Sequence, residues 1–114
     1  MPVVRAVRVP PTSDVDARLG AEFGRMVNVS ATGALLRMRV PFRAGRQCPL
    51  SLTASGEPAT LIVRVVRTMQ VPVVLAGATS ELREYLVGVS YTYVSAESGE
   101  TVKALCGEAY AKRE

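Results

Sequence analysis

Along most of this chain, apolar residues recur at every second position, and only the final segment changes to another period. Strand side chains alternate between faces, so a period of two describes β-strands with one dry and one wet side. Val15, Ala17 and Leu19 share one face of a first strand ending at Gly20, and a second is expected over 22–30 with a bend at Gly24. Leu36, Met38 and Val40 alternate with Leu35, Arg37 and Arg39 until Pro41 stops the run, giving one apolar and one largely basic face. Cys48, Leu50 and Leu52 follow, and Ser55 to Pro58 reads as a hairpin turn. The run 59–69 is the most β-branched in the chain, with Leu61, Val63 and Val65 on one parity, and reads as a central strand bulged near Val66 and Arg67. A further short edge strand is expected over 71–75, where Pro72 removes a donor, and a single helical turn at most over 80–84. The closing strand, 85–94, puts Tyr85, Val87, Val89, Tyr91 and Tyr93 on one parity.

The last segment carries Val102, Leu105, Cys106, Ala109 and Tyr110 at i, i+3, i+4, i+7 and i+8, which predicts an amphipathic helix over about 96–112. Ser95 or Ser98 caps its start, and Glu97, Glu100, Lys112 and Arg113 complement its dipole. Six or so strands followed by one helix predict an all-β fold, a small antiparallel barrel closed by a C-terminal helix. The 114 residues suffice for one core and one domain, 12–114, preceded by an arm at 1–11 whose Pro10 and Pro11 keep it extended.

The chain contains no His, which excludes histidine metal sites, triads and histidine acid–base pairs; with no paired carboxylates in a plausible cleft, no enzymatic activity is expected. Cys48 and Cys106 fall on apolar faces and read as buried small hydrophobes, not as a disulfide or metal pair. The N-terminus lacks the apolar core of a signal peptide, and the longest apolar runs are too short to span a bilayer, so a cytoplasmic setting without membrane insertion is expected. Charge is unevenly placed: residues 1–46 hold eight Arg against three acidic side chains, a net of +5, while residues 47–114 hold six basic against seven acidic, a net of −1. That bias suits an anionic ligand, and equally a solvated face in an arginine-preferring chain, since Arg outnumbers Lys twelve to two. With six aromatics and no motif for it, nucleic-acid binding is not expected.

The basic half contains the hexad Asn28-Val29-Ser30-Ala31-Thr32-Gly33. Extended, it would aim the Asn28 amide and the Ser30 hydroxyl the same way, while Gly33 permits a positive φ or a close backbone approach. A plain hairpin turn is the competing reading, because Asn, Ser, Thr and Gly are turn residues for local reasons. Upstream, the arm carries Arg5 and Arg8. An arginine arm, a strand and an Asn-x-Ser-x-x-Gly hexad, followed by a late strand at Leu86-Val-Gly-Val-Ser-Tyr91 and a terminal helix, resemble the PilZ domain family over nearly the whole chain. The resemblance implies a six-stranded PilZ-type barrel that binds cyclic di-GMP. Arg5 and Arg8 would then serve bases and phosphates, Asn28 and Ser30 the guanine edge, and Gly33 the turn beneath.

One departure from the family pattern stands out. Two arm arginines separated by three residues are usual, often with another after the first; with Arg8 last, the first position is Val4 and the optional one Arg5. Losing one bidentate contact costs about 1–3 kcal/mol. The expected function is thus a stand-alone cyclic di-GMP effector, with no cofactor, that signals through a protein partner, as in control of motility. The alternative is a degenerate PilZ domain that no longer binds the nucleotide and serves as a protein-interaction adaptor.

Overall fold

A computed structural model describes residues 8–11, 15–53, 58–71 and 83–107. Six strands, β1 (Asp16–Leu19), β2 (Glu22–Val29), β3 (Gly33–Met38), β4 (Gln47–Thr53), β5 (Ala59–Val71) and β6 (Glu84–Tyr93), precede one helix, α1 (Ala96–Cys106). All named pairings are antiparallel, and the order β1-β2-β3-β6-β5-β4 closes because β1 also pairs with β4. The expected antiparallel barrel with a C-terminal helix is therefore the fold that forms.

Alternation decides what lies inside. Ala17 and Leu19, Leu36 and Met38, Leu50 and Leu52, Leu61, Val63 and Val65, and Val87 and Val89 are all buried in one cluster. Burying each of the larger ones contributes roughly 1.5–3 kcal/mol, so the inward parity fixes the register of every strand. Val102, Leu105 and Cys106 extend this cluster into α1. Ser95 Oγ caps the helix by accepting from the Ser98 amide at 3.1 Å, and Ser98 Oγ donates to the Thr60 carbonyl at 2.8 Å, fastening the first turn to β5. Cys48 and Cys106 are free and buried, and burial pushes both thiols up, with Arg46 partly opposing this at Cys48.

Several elements differ from the sequence expectation. The helix stops at Cys106 because Gly107, at φ +60°, returns its N–H to the Lys103 carbonyl; the rest of the expected 96–112 helix lies outside the described residues. Val71, expected to start a further strand, is instead the last residue of β5 and pairs with Glu84, the first of β6; residues 72–75 and most of the expected turn at 80–84 lie outside the description. β2 is irregular at Val27, not at Gly24, whose missing side chain makes room for Met38 and the Arg37 carbonyl. Gly33 has no positive φ: it is a strand residue, and the requirement for glycine is steric, since a Cβ there would collide with the Val89 carbonyl oxygen of β6.

Among the described residues, three β-bulges break the alternation. β2 carries one extra residue, Val27, between the pairs Met26–Leu36 and Asn28–Leu35. β5 carries Val66 between Val65–Val89 and Arg67–Gly88, the place where the sequence suggested a bulge. β6 carries Thr92 between Tyr91–Val63 and Tyr93–Ile62, which sends Tyr93 out to 64% exposure although it shares parity with core residues.

Candidate ligand-binding face

The turn after β2 is built by one hydroxyl. Ser30 Oγ accepts from the amides of Thr32 and Gly33 at 3.2 and 3.1 Å and lies 3.2 Å from the Gly33 carbonyl, while the Ser30 amide donates to that same carbonyl at 2.8 Å. This is the serine's local way of replacing missing backbone partners at a strand end. Ser30 is 1% exposed, so its hydroxyl faces the turn and not the surface. Thr32 then holds the turn to β6, its carbonyl accepting from the Tyr91 amide at 2.9 Å.

Asn28 owes its position to the bulge. Met26 and Asn28 share parity and, in an unbroken strand, would both face the core; the extra Val27 turns Asn28 to the other face while Val29 takes the inward place. Asn28 Oδ1 is buried and, among the described residues, has no hydrogen-bond partner. A buried acceptor without a partner costs free energy and calls for an explanation, a ligand donor being one.

The arm joins this site at one backbone pair. Val9 and Val29 exchange amide–carbonyl hydrogen bonds of 3.0 and 2.8 Å, an isolated antiparallel bridge on the side of β2 away from β3. Val9 packs on the core. Exposed Arg8 therefore lies beside the Ser30 turn, on the opposite parity from Val9. Of the sequence-nominated residues, Arg8, Asn28, Ser30 and Gly33 are brought together, with Ser30 and Gly33 shaping the turn; Arg5 lies outside the described residues.

Across the barrel, register continues the row outward from Asn28: Asn28 pairs with Leu35, Leu35 with Gly88, and Gly88 with Arg67. Leu35 is half-buried, and Gly88 leaves a shallow floor between it and Arg67. In the next row, Arg25 stands opposite Arg37, whose Nε is held by Glu84 at 2.8 Å. The face thus offers an amide acceptor, an apolar floor and guanidinium groups, a combination suited to a flat, N–H-bearing ring attached to anionic oxygens. Sequence reasoning missed Arg67 as part of this face; its signal was an arginine on the parity of Leu61, Val63 and Val65, next to a suspected bulge.

The described residues form no His, Cys, Asp or Glu cluster able to hold a metal ion, and no described helix is long and apolar enough to cross a membrane. The family model described as "PilZ domain" matches residues 3–108. Among solved structures, "MrkH, A novel c-di-GMP dependence transcription regulatory factor" is similar with a TM-score of 0.63 and 14% identity, covering 84% of this chain and 46% of that one. The Bacillus subtilis inhibitor of motility, MotI/DgrA, is similar with a TM-score of 0.57 and 19% identity over 84% of this chain and 45% of that one. This chain therefore spans just under half the length of those proteins, and at these identities the likeness is one of fold. No curated protein matches in sequence.

Proposed function

The chain belongs to the PilZ domain family, a family of cyclic di-GMP-binding regulatory domains, and from that membership we propose that it captures cyclic di-GMP on the face around Asn28 and passes the event to a protein partner through a changed surface. One observation carries the reading. A buried, unpartnered acceptor, Asn28 Oδ1, lies next to an arginine arm fastened at Val9. Guanine supplies what each side requires: its N2 amino group donates to a carbonyl acceptor, and its O6 and N7 accept both branches of a guanidinium fork. Arg8 supplies that fork or meets a phosphate, and Arg5 acts from the arm. Ser30 and Gly33 contribute by holding the turn against β6 so that Asn28 stays in place. The protein acts in the cytoplasm, without enzymatic chemistry or cofactor, and motility is one process such a module would control.

Val4 favours a second reading: with one principal arm arginine replaced, the domain acts as a nucleotide-independent adaptor. Titration calorimetry with cyclic di-GMP separates the two. Binding by the wild type that is lost in Arg8→Ala supports the sensor. A silent wild type with binding restored in Val4→Arg supports the adaptor with an intact face. Silence in all three overturns the nucleotide reading.

A further inference from the structure

Two residues that alternation assigns to the barrel interior are turned outward by bulges, and both land in one row. Asn28 follows Val27 in β2; Arg67 follows Val66 in β5; the pairs Asn28–Leu35, Leu35–Gly88 and Gly88–Arg67 join them across four strands. A bulge leaves its extra residue unpaired, interrupts the ladder and re-aims the next side chain. Together they place an acceptor and a cation at opposite ends of one shallow floor.

Arg67 lies along that floor. Its Cγ and Nε sit 3.5 and 3.8 Å from where a side-chain carbon on Gly88 would be, so its stem lies over Gly88 in the row that leads through Leu35 to Asn28. Among the described residues Arg37 is committed to Glu84, whereas Arg67 makes no ion pair. Three strand spacings separate the Asn28 and Arg67 backbones, roughly 14 Å, and an extended arginine covers about half of that. Resting on the reading of this face as a cyclic di-GMP site, we infer that Arg67 is a ligand-contacting residue that holds a phosphodiester at the end of the face remote from the arm. A dianion with two phosphodiesters then meets one cation at each end, Arg8 beside the Ser30 turn and Arg67 across Gly88. The chain thereby recovers within the barrel an arginine that position 4 of the arm lacks.

Calorimetric titration of cyclic di-GMP into wild type, Arg67→Ala, Arg67→Lys and Arg18→Ala tests this. Arg18 is an exposed arginine on β1, away from this row, and controls for loss of net charge. The expected result is affinity weakened about ten- to a hundredfold in Arg67→Ala, partly retained in Arg67→Lys because the charge stays while the fork is lost, and changed less than about twofold in Arg18→Ala. Unchanged thermal unfolding shows that the exposed substitutions leave the fold intact. If wild type binds and Arg67→Ala matches Arg18→Ala, the role of Arg67 is overturned while the proposed function stands. If wild type is silent, the underlying reading falls and the role of Arg67 falls with it.

Discussion

Asn28 and Ser30, two positions apart, are in opposite energetic situations, and substitution separates them. Ser30 Oγ satisfies two backbone amides in a buried turn, so Ser30→Ala strands those donors and is expected to destabilise the protein by about 1–3 kcal/mol in urea unfolding. Asn28 Oδ1 has no partner to lose. Asn28→Ala is therefore expected to be neutral or stabilising in the free protein, while weakening cyclic di-GMP by tenfold or more in calorimetry. A clear loss of stability in Asn28→Ala would mean that the amide has a structural role. The two thiols extend the same reasoning to reactivity. Cys48 and Cys106 are buried with their pKa values raised by desolvation, which keeps them protonated at neutral pH. Labelling by a thiol reagent is expected to proceed only as fast as the barrel opens, and to become rapid in denaturant.

Among the elements, β2 and β5 show most clearly what a sequence discloses and what it withholds. Deleting Val27 would make Met26–Leu36, Asn28–Leu35 and Val29–Ala34 consecutive pairs, with Asn28 still on the outer face and Val29 still inward; the expected outcome is a barrel that still folds, read by thermal unfolding, whereas failure to fold would mean that closure needs the twist the bulge adds. The strands themselves were legible, because inward parity is written in each segment: Leu50 and Leu52, or Leu61, Val63 and Val65, declare their face without reference to any neighbour. A bulge belongs to a pair of strands and is invisible in either alone. Val66 could be suspected because an arginine followed on the wrong parity; Asn28 after Val27 was a weaker sign of the same kind, since an asparagine also fits a turn, and Thr92 gave none. The same limit applies in the hexad. Its residue types announced a turn beside a polar edge, but not that Ser30 would spend its hydroxyl on its own backbone. Nor did they reveal that Gly33 would be required by the Val89 carbonyl and not by its own dihedral. The helix was legible in its period as far as Cys106, but the period ran on to Ala109 and Tyr110 and did not disclose the stop that Gly107 makes with its positive φ.

At the scale of the whole molecule, closure gives every named strand a neighbour on each side, but β5 outruns β4, and its residues 67–71 pair with β6 alone. The positive charge, +4 over the chain and +5 within residues 1–46, together with the proposed contacts between arginines and two phosphodiesters, predicts that cyclic di-GMP affinity falls as salt rises. An affinity independent of ionic strength between low and physiological salt would argue against charge-led capture. The single backbone bridge at Val9 has a kinetic meaning as well. Arg5 is three residues before Arg8, a span of at most about 10–11 Å of extended chain, so pairing Val9 with Val29 limits how far Arg5 can be from the hexad. On the proposed reading, a ligand seated on this face and the arm tethered beside it belong to one complex, so the arm acts at a high effective concentration, and loosening the Val9 bridge is expected to speed ligand escape without removing any atom that touches the ligand.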